Sequence, residues 1–113
     1  MKVYLDDTRS IRWSTHGEEW QDWVVVRTVE NLVHLVKYAE PEEVSLDYDL
    51  SESDPSHTGM DAVNSILEMM ESDLSFKAPR VYVHSQHSMA DEMNKVAQKI
   101  YALQIQRESL GTK

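Results

Sequence analysis

No cysteine occurs in the chain, so disulfide bridges, thiolate metal sites and a cysteine nucleophile are all excluded. No apolar run approaches the length needed to span a bilayer. A signal-peptide pattern is missing too, because Lys2 and Val3-Tyr4-Leu5 lead straight into Asp6 and Asp7. These absences predict a cytoplasmic protein with no membrane contact. Basic residues are few: 11 Lys and Arg stand against 20 Asp and Glu, a net charge of −9. That balance excludes a broad grip on a nucleic-acid backbone, which needs a basic surface. It leaves a local phosphate contact open to Arg9, Arg12 or Arg27, and it suits a site that collects divalent cations.

What is present fits a single domain over residues 1–113. Hydrophobic residues at 41% and charged residues at 27% are globular values and argue against wholesale disorder. Four strand-like runs alternate with helical stripes. Lys2–Asp6 reads as the first strand, and Val24–Val26 as a second, β-branched and buried on both faces. Val44–Leu50 and Arg80–His84 follow as the third and fourth. Ser10–Trp23 is less regular and predicts a loop with one short helix.

Thr28 offers an N-cap to a helix whose stripe is Val29, Leu32, Val33 and Val36, and Pro41 stops it. Thr58 and Asp61 form a capping-box pattern ahead of Val63, Ile66, Leu67, Met70 and Leu74. Ser88 and Asp91 repeat that pattern ahead of Met93, Val96, Ala97, Ile100 and Leu103, and the tail from Arg107 is expected to fray. Alternating strands and helices call for right-handed crossovers and a parallel sheet with helices on both faces. The predicted strand order is 2-1-3-4.

In such a sheet the C-terminal strand ends converge on one edge, where α/β folds keep their ligand sites. Here those ends carry Asp6-Asp7-Thr8-Arg9, Asp47-Tyr48-Asp49 and His84-Ser85-Gln86-His87. Adjacent carboxylates repel, and a hard divalent cation such as Mg²⁺ or Mn²⁺ removes that cost. Asp6, Asp7 and Asp47 are the candidate ligands. Asp47 and Asp49, two apart on a regular strand, face one side, so one can complete the metal shell while the other orients water. An imidazole can ligate a metal or move a proton near neutral pH, which makes His84 a second candidate for the chemistry. Ser85, Arg9 and His87 are candidate substrate contacts, although Arg9 can equally pair with a carboxylate. Thr58 reads as a helix cap and Gly59 as a close backbone approach. His16, His34 and His57 read as surface residues, with His57 nearest the rim of the site. Trp13, Trp20 and Trp23 read as core or interface, with base stacking as the alternative.

The motifs Leu5-Asp6-Asp7-Thr8-Arg9, Arg27-Thr28, Ser45-Leu46-Asp47-Tyr48-Asp49-Leu50, Thr58-Gly59 and Val83-His84-Ser85 span nearly the whole chain. Together they resemble the cyclic-phosphate processing receiver domain, a relative of response-regulator receivers. The resemblance implies a small receiver-like (flavodoxin-like) three-layer α/β sandwich that lacks the final strand–helix unit. It also implies an activity on a cyclic phosphate of a nucleotide or an RNA end, and with the acidic strand exits this predicts a metal-dependent phosphoesterase. In that reading Asp6, Asp7 and Asp47 hold the metal, Asp49, His84 and Ser85 carry the chemistry, and Arg9, Ser85 and His87 contact substrate. Two positions depart from the family pattern: Tyr48 stands where His is usual, and His87-Ser88 stands where Asn-Pro is usual. Two alternatives follow. One is a degenerate receiver that takes a phosphoryl group on Asp47 or docks a partner, against which the missing receiver lysine counts. The other is a non-enzymatic acidic accessory protein, of viral or mobile-element type, that binds a nucleotide or a host protein.

Overall fold

The computed structural model describes residues 1–7 and 23–111. Four short strands, β1 (Lys2–Leu5), β2 (Trp23–Val26), β3 (Glu43–Leu46) and β4 (Arg80–Val83), form one sheet. All three pairings are parallel, and the order is β2-β1-β3-β4, as expected for a receiver-like α/β fold. Among the described residues three helices accompany them: α1 (Val29–Ala39), α2 (Gly59–Ser72) and α3 (Ala90–Gly111). None of the described helices is long and apolar enough to cross a membrane. The expected loop and short helix of Ser10–Trp23, with Thr8, Arg9, Arg12, Trp13, His16 and Trp20, lie outside the described residues.

Register explains which side of the sheet carries the core. Val3, Val44 and Val81 are partners across β1, β3 and β4, and so are Leu5, Leu46 and Val83. Pleat alternation sends these rows to one face, where Val29, Leu32 and Val36 of α1 and Ala62, Val63, Ile66 and Met70 of α2 join them. Met93, Ala97 and Ile100 of α3 complete this core. The helix α2 packs between α1 and α3. Tyr4, Ser45 and Tyr82 alternate onto the opposite face.

Helix ends follow local chemistry. The Thr28 hydroxyl accepts the Asn31 N–H at 3.2 Å, and the Asp54 carboxylate accepts the Val29 N–H at 2.9 Å. Two side chains thus satisfy donors that α1 leaves open at its start. At its other end Glu40 takes a left-handed conformation, φ 47°, just ahead of Pro41. The Thr58 N–H donates to the Asp61 carboxylate at 2.8 Å, the reciprocal arm of the predicted capping box.

Several expectations are corrected. β2 is an edge strand and Val24 is 40% exposed, so this run is not buried on both faces. A β-branched run reports burial only when its strand has neighbours on both sides. Leu74 falls beyond the end of α2 and is 82% exposed. The third strand stops at Leu46, so Asp47 to Leu50 lie beyond it. α3 opens at Ala90, one residue later than a Ser88 cap predicts, and His87 makes the entry instead. Its carbonyl accepts the Ala90 N–H at 2.9 Å and its Nδ1 accepts the Met89 N–H at 3.1 Å. The expected fraying from Arg107 is not observed. The helix continues to Gly111, and the Arg107 guanidinium donates to the Met70 carbonyl near the end of α2.

Candidate functional site at the strand exits

Ladder hydrogen bonding runs one step past each strand. The Asp6 N–H donates to the Val26 carbonyl at 3.2 Å, the Asp47 N–H to Leu5 at 3.0 Å, and the His84 N–H to Leu46 at 3.0 Å. Three residues far apart in sequence therefore leave the sheet side by side, roughly 4.8 Å from strand to strand. One ligand atom from each of Asp6, Asp47 and His84 lies within 4.8 Å of the other two, a grouping that could hold a metal ion.

Asp6 is fully buried. Its backbone is held on both sides, by the Val26 carbonyl and by the Arg27 guanidinium, which donates to the Asp6 carbonyl at 3.1 Å. Its Oδ2 lies 3.1 Å from His84 Nε2. The other imidazole nitrogen, Nδ1, lies 2.7 Å from the Ser45 hydroxyl. The Tyr4 ring stacks on the imidazole at 4.2 Å with an interplanar angle of 5°. His84 is thus fixed in plane by two hydrogen bonds and out of plane by an aromatic face.

Asp47 sits in the turn after β3, where its carboxylate accepts the Tyr48 N–H at 2.8 Å. Burial pushes its carboxyl above the usual range, and the neighbouring Asp6 charge pushes the same way. His84, the Tyr48 amide and the Ser85 hydroxyl oppose that rise without cancelling it. Two carboxylates crowded in this way form an electrostatic deficit that a cation relieves. Gly59 makes the turn possible. Its N–H donates to the Tyr48 carbonyl at 2.8 Å, and a Cβ there would stand 1.9 Å from the Asp47 carbonyl oxygen. The close backbone approach expected of Gly59 is therefore made against the residue that bears the site.

An open cleft of about 410 Å³ lies over the strand exits, lined by Asp6, Asp7, Asp47, Asp49, Ser51, Glu52, Ser85, Gln86 and His87. The other candidates divide around it. Asp7 accepts a long hydrogen bond, 3.4 Å, from the Glu52 N–H and lines the cleft outside the tight triplet. Asp49 does not share a strand face with Asp47, because both residues follow the end of β3. Its carboxylate turns back to accept the Ser51 N–H at 3.0 Å, and hydrogen bonds from Ser51 hold it below the usual carboxylate range. Ser85 accepts the His87 N–H at 3.1 Å. The His87 ring stacks on Tyr48 at 4.2 Å. Arg9 lies outside the described residues. His57 lies away from the cleft lining, paired with Asp54 at 2.9 Å.

Sequence reasoning left two contributors without a role. Ser45 and Tyr4 bracket the His84 ring, yet each reads as an ordinary strand residue. The available signal was alternation, since both precede a site residue by two positions on their own strands.

No curated protein and no solved structure matches the chain. A family model does, over residues 1–99, and these hold every strand, both acidic exits and the His84 exit. The chain belongs to the family of cyclic-phosphate processing receiver domains.

Proposed function

We propose that the chain is a metal-dependent phosphoesterase that opens a cyclic phosphate of a nucleotide or an RNA end. The observation that carries this reading is the convergence of Asp6, Asp47 and His84 at the strand exits, with a cleft in front of them. The donor set fits a divalent cation: two carboxylates suit Mg²⁺ or Mn²⁺, and the imidazole favours Mn²⁺. Asp6, Asp47 and His84 Nε2 would hold it, with Asp7 beside them. When bound, such an ion offsets the charge of a phosphoryl oxygen and makes water a better nucleophile at neutral pH.

The chain's own groups supply the remaining needs. Ring opening forms a bond from water oxygen to phosphorus, breaks one ring P–O ester bond, and moves a proton from the water to the leaving oxygen. Asp49 lines the cleft and is held ionised by hydrogen bonds from Ser51, and it would accept that proton. His87 uses Nδ1 to accept from Met89, so its neutral ring carries the proton on Nε2, a donor for a phosphate or leaving oxygen. The Ser85 hydroxyl is a further phosphate contact on the cleft wall.

A receiver reading, with a phosphoryl group carried on Asp47, calls for a cationic side chain facing that group. Among the described residues the cleft lining holds neither Lys nor Arg, and the sequence offers no counterpart of the receiver lysine. The test is incubation with Mn²⁺ or Mg²⁺ and a panel of 2′,3′- and 3′,5′-cyclic nucleotides and cyclic-phosphate-ended RNA, with Asp47→Asn as control. Turnover that needs the metal and vanishes in the variant is expected. Metal binding without any turnover would replace the esterase with a ligand-sequestering or docking domain.

A further inference from the structure

The geometry points to Ser45 as the positioning residue that makes His84 a cation ligand, by serving as a reversible hydrogen-bond partner for Nδ1. This inference rests on the metal reading above. Ser45 is one of two buried polar residues among those described, the other being Asp6. Its hydroxyl lies 2.7 Å from Nδ1, while Nε2 lies 3.1 Å from the Asp6 carboxylate. The parallel Tyr4 ring at 4.2 Å blocks the imidazole from tilting away.

A neutral imidazole has one proton for two nitrogens, and here both nitrogens have partners. Without a cation, a ring that carries its proton on Nε2 donates it to the Asp6 carboxylate 3.1 Å away. Nδ1 then accepts from the Ser45 O–H. To ligate a cation Nε2 must present its lone pair, and the ring proton must move to Nδ1. Ser45 then accepts where it had donated, by rotation about its Cβ–Oγ bond. A hydroxyl performs both roles in place. A methyl group performs neither, and a carboxylate would perform only the second while adding a third negative charge beside Asp6 and Asp47. Outer-sphere partners of this type change metal affinity by about 10- to 100-fold.

Two measurements on the full chain test this. Calorimetry with Mn²⁺ should show affinity about 10- to 100-fold weaker in Ser45→Ala. Ser45→Cys, close in shape but a poor partner, should weaken it likewise, and Ser45→Thr should restore it. In the wild type, ¹⁵N spectra of the imidazoles should place the His84 proton on Nε2 without metal and on Nδ1 with Mg²⁺. The variants Ser45→Ala and Ser45→Cys binding Mn²⁺ as tightly as wild type would overturn the role of Ser45 and leave the metal site standing. A proton that stays on Nε2 in the presence of Mg²⁺ would overturn it too, even if no variant folds. Wild-type protein that binds no Mn²⁺ would remove both this inference and the metal-dependent reading.

Discussion

The Tyr48 ring lies on the His87 ring, centroids 4.2 Å apart and planes 27° apart, so the turn after β3 is clasped to the loop after β4. Both rings belong to motifs at the strand exits, 39 residues apart in sequence, and they touch. His87 of this pair lines the cleft that holds the candidate site.

The two rings are expected to be energetically coupled. An aromatic pair of this kind contributes about 0.5–1.5 kcal/mol beyond the area that it buries. Urea melts of Tyr48→Ala, His87→Ala and the double variant should therefore give a coupling term near 1 kcal/mol. Strict additivity would show that the stack is contact without energy.

Removing the Asp47 charge is expected to stabilise the metal-free protein while destroying its function. Burial and Asp6 raise the Asp47 carboxyl above its ordinary 3.8, so the folded chain holds that proton more tightly than the unfolded chain. Stability from this group is therefore present at low pH. It falls as pH rises from 3.8 through the raised value. In chelator at neutral pH, Asp47→Asn should melt at or above the wild-type temperature. Added Mn²⁺ should raise the wild type and leave the variant unmoved. A metal-free variant that melts well below wild type would mean that the Asp47 charge supports the fold.

Gly59 should tolerate no side chain. A Cβ would meet the Asp47 carbonyl oxygen at 1.9 Å and Met93 Cε at 2.7 Å, and the first of these is backbone. Forcing atoms into packed space of this kind costs about 1–3 kcal/mol. The displaced atoms belong to a candidate ligand residue. Gly59→Ala should lower urea stability by that amount and weaken Mn²⁺ binding in calorimetry, a joint loss that a substitution on an exposed helix face would not produce.

The Asp54–His57 pair predicts a pH-dependent brace for α1. The hydrogen bond to Asp54 raises the His57 imidazole above its ordinary 6.5, and the Asp61 and Glu30 charges add to this. Burial works to raise Asp54, but His57 and the Val29 amide outweigh it and hold the carboxyl low. The stability from His57 is full below 6.5 and is lost as pH rises through the raised value. The Asp54 part runs the other way, present above 3.8 and lost as pH falls through the lowered value. A His57→Ala variant should lose the alkaline-side decline in melting temperature. Asp54→Ala should cost about 1 kcal/mol, because α1 loses a cap at Val29. An NMR titration of His57 at or below 6.5 would contradict the pairing.

Much of the architecture was written in local chemistry. Apolar stripes at helical spacing placed α1, α2 and α3, and most of their apolar positions from Val29 to Ile100 are buried or packed on the core, Leu74 being the exception. The alternation of strands with helices led to the order 2-1-3-4, because right-handed crossovers leave few other arrangements. From that order it follows that Asp6, Asp47 and His84 leave the sheet as neighbours. Local pattern could not decide which carboxylate of each acidic motif joins the cluster. Asp6 and Asp47 bring a carboxylate oxygen within 4.8 Å of each other and of His84, while Asp7 lines the cleft outside that group and Asp49 accepts from Ser51. Those choices depend on where each strand stops, and hydrogen bonds between strands and the Gly59 contact set that stop. The exposure of Val24 was equally hidden, since burial of a strand depends on its neighbours in the sheet. The grip of Ser45 and Tyr4 on His84 joins three strands, and only the closed sheet brings their side chains within reach of one imidazole.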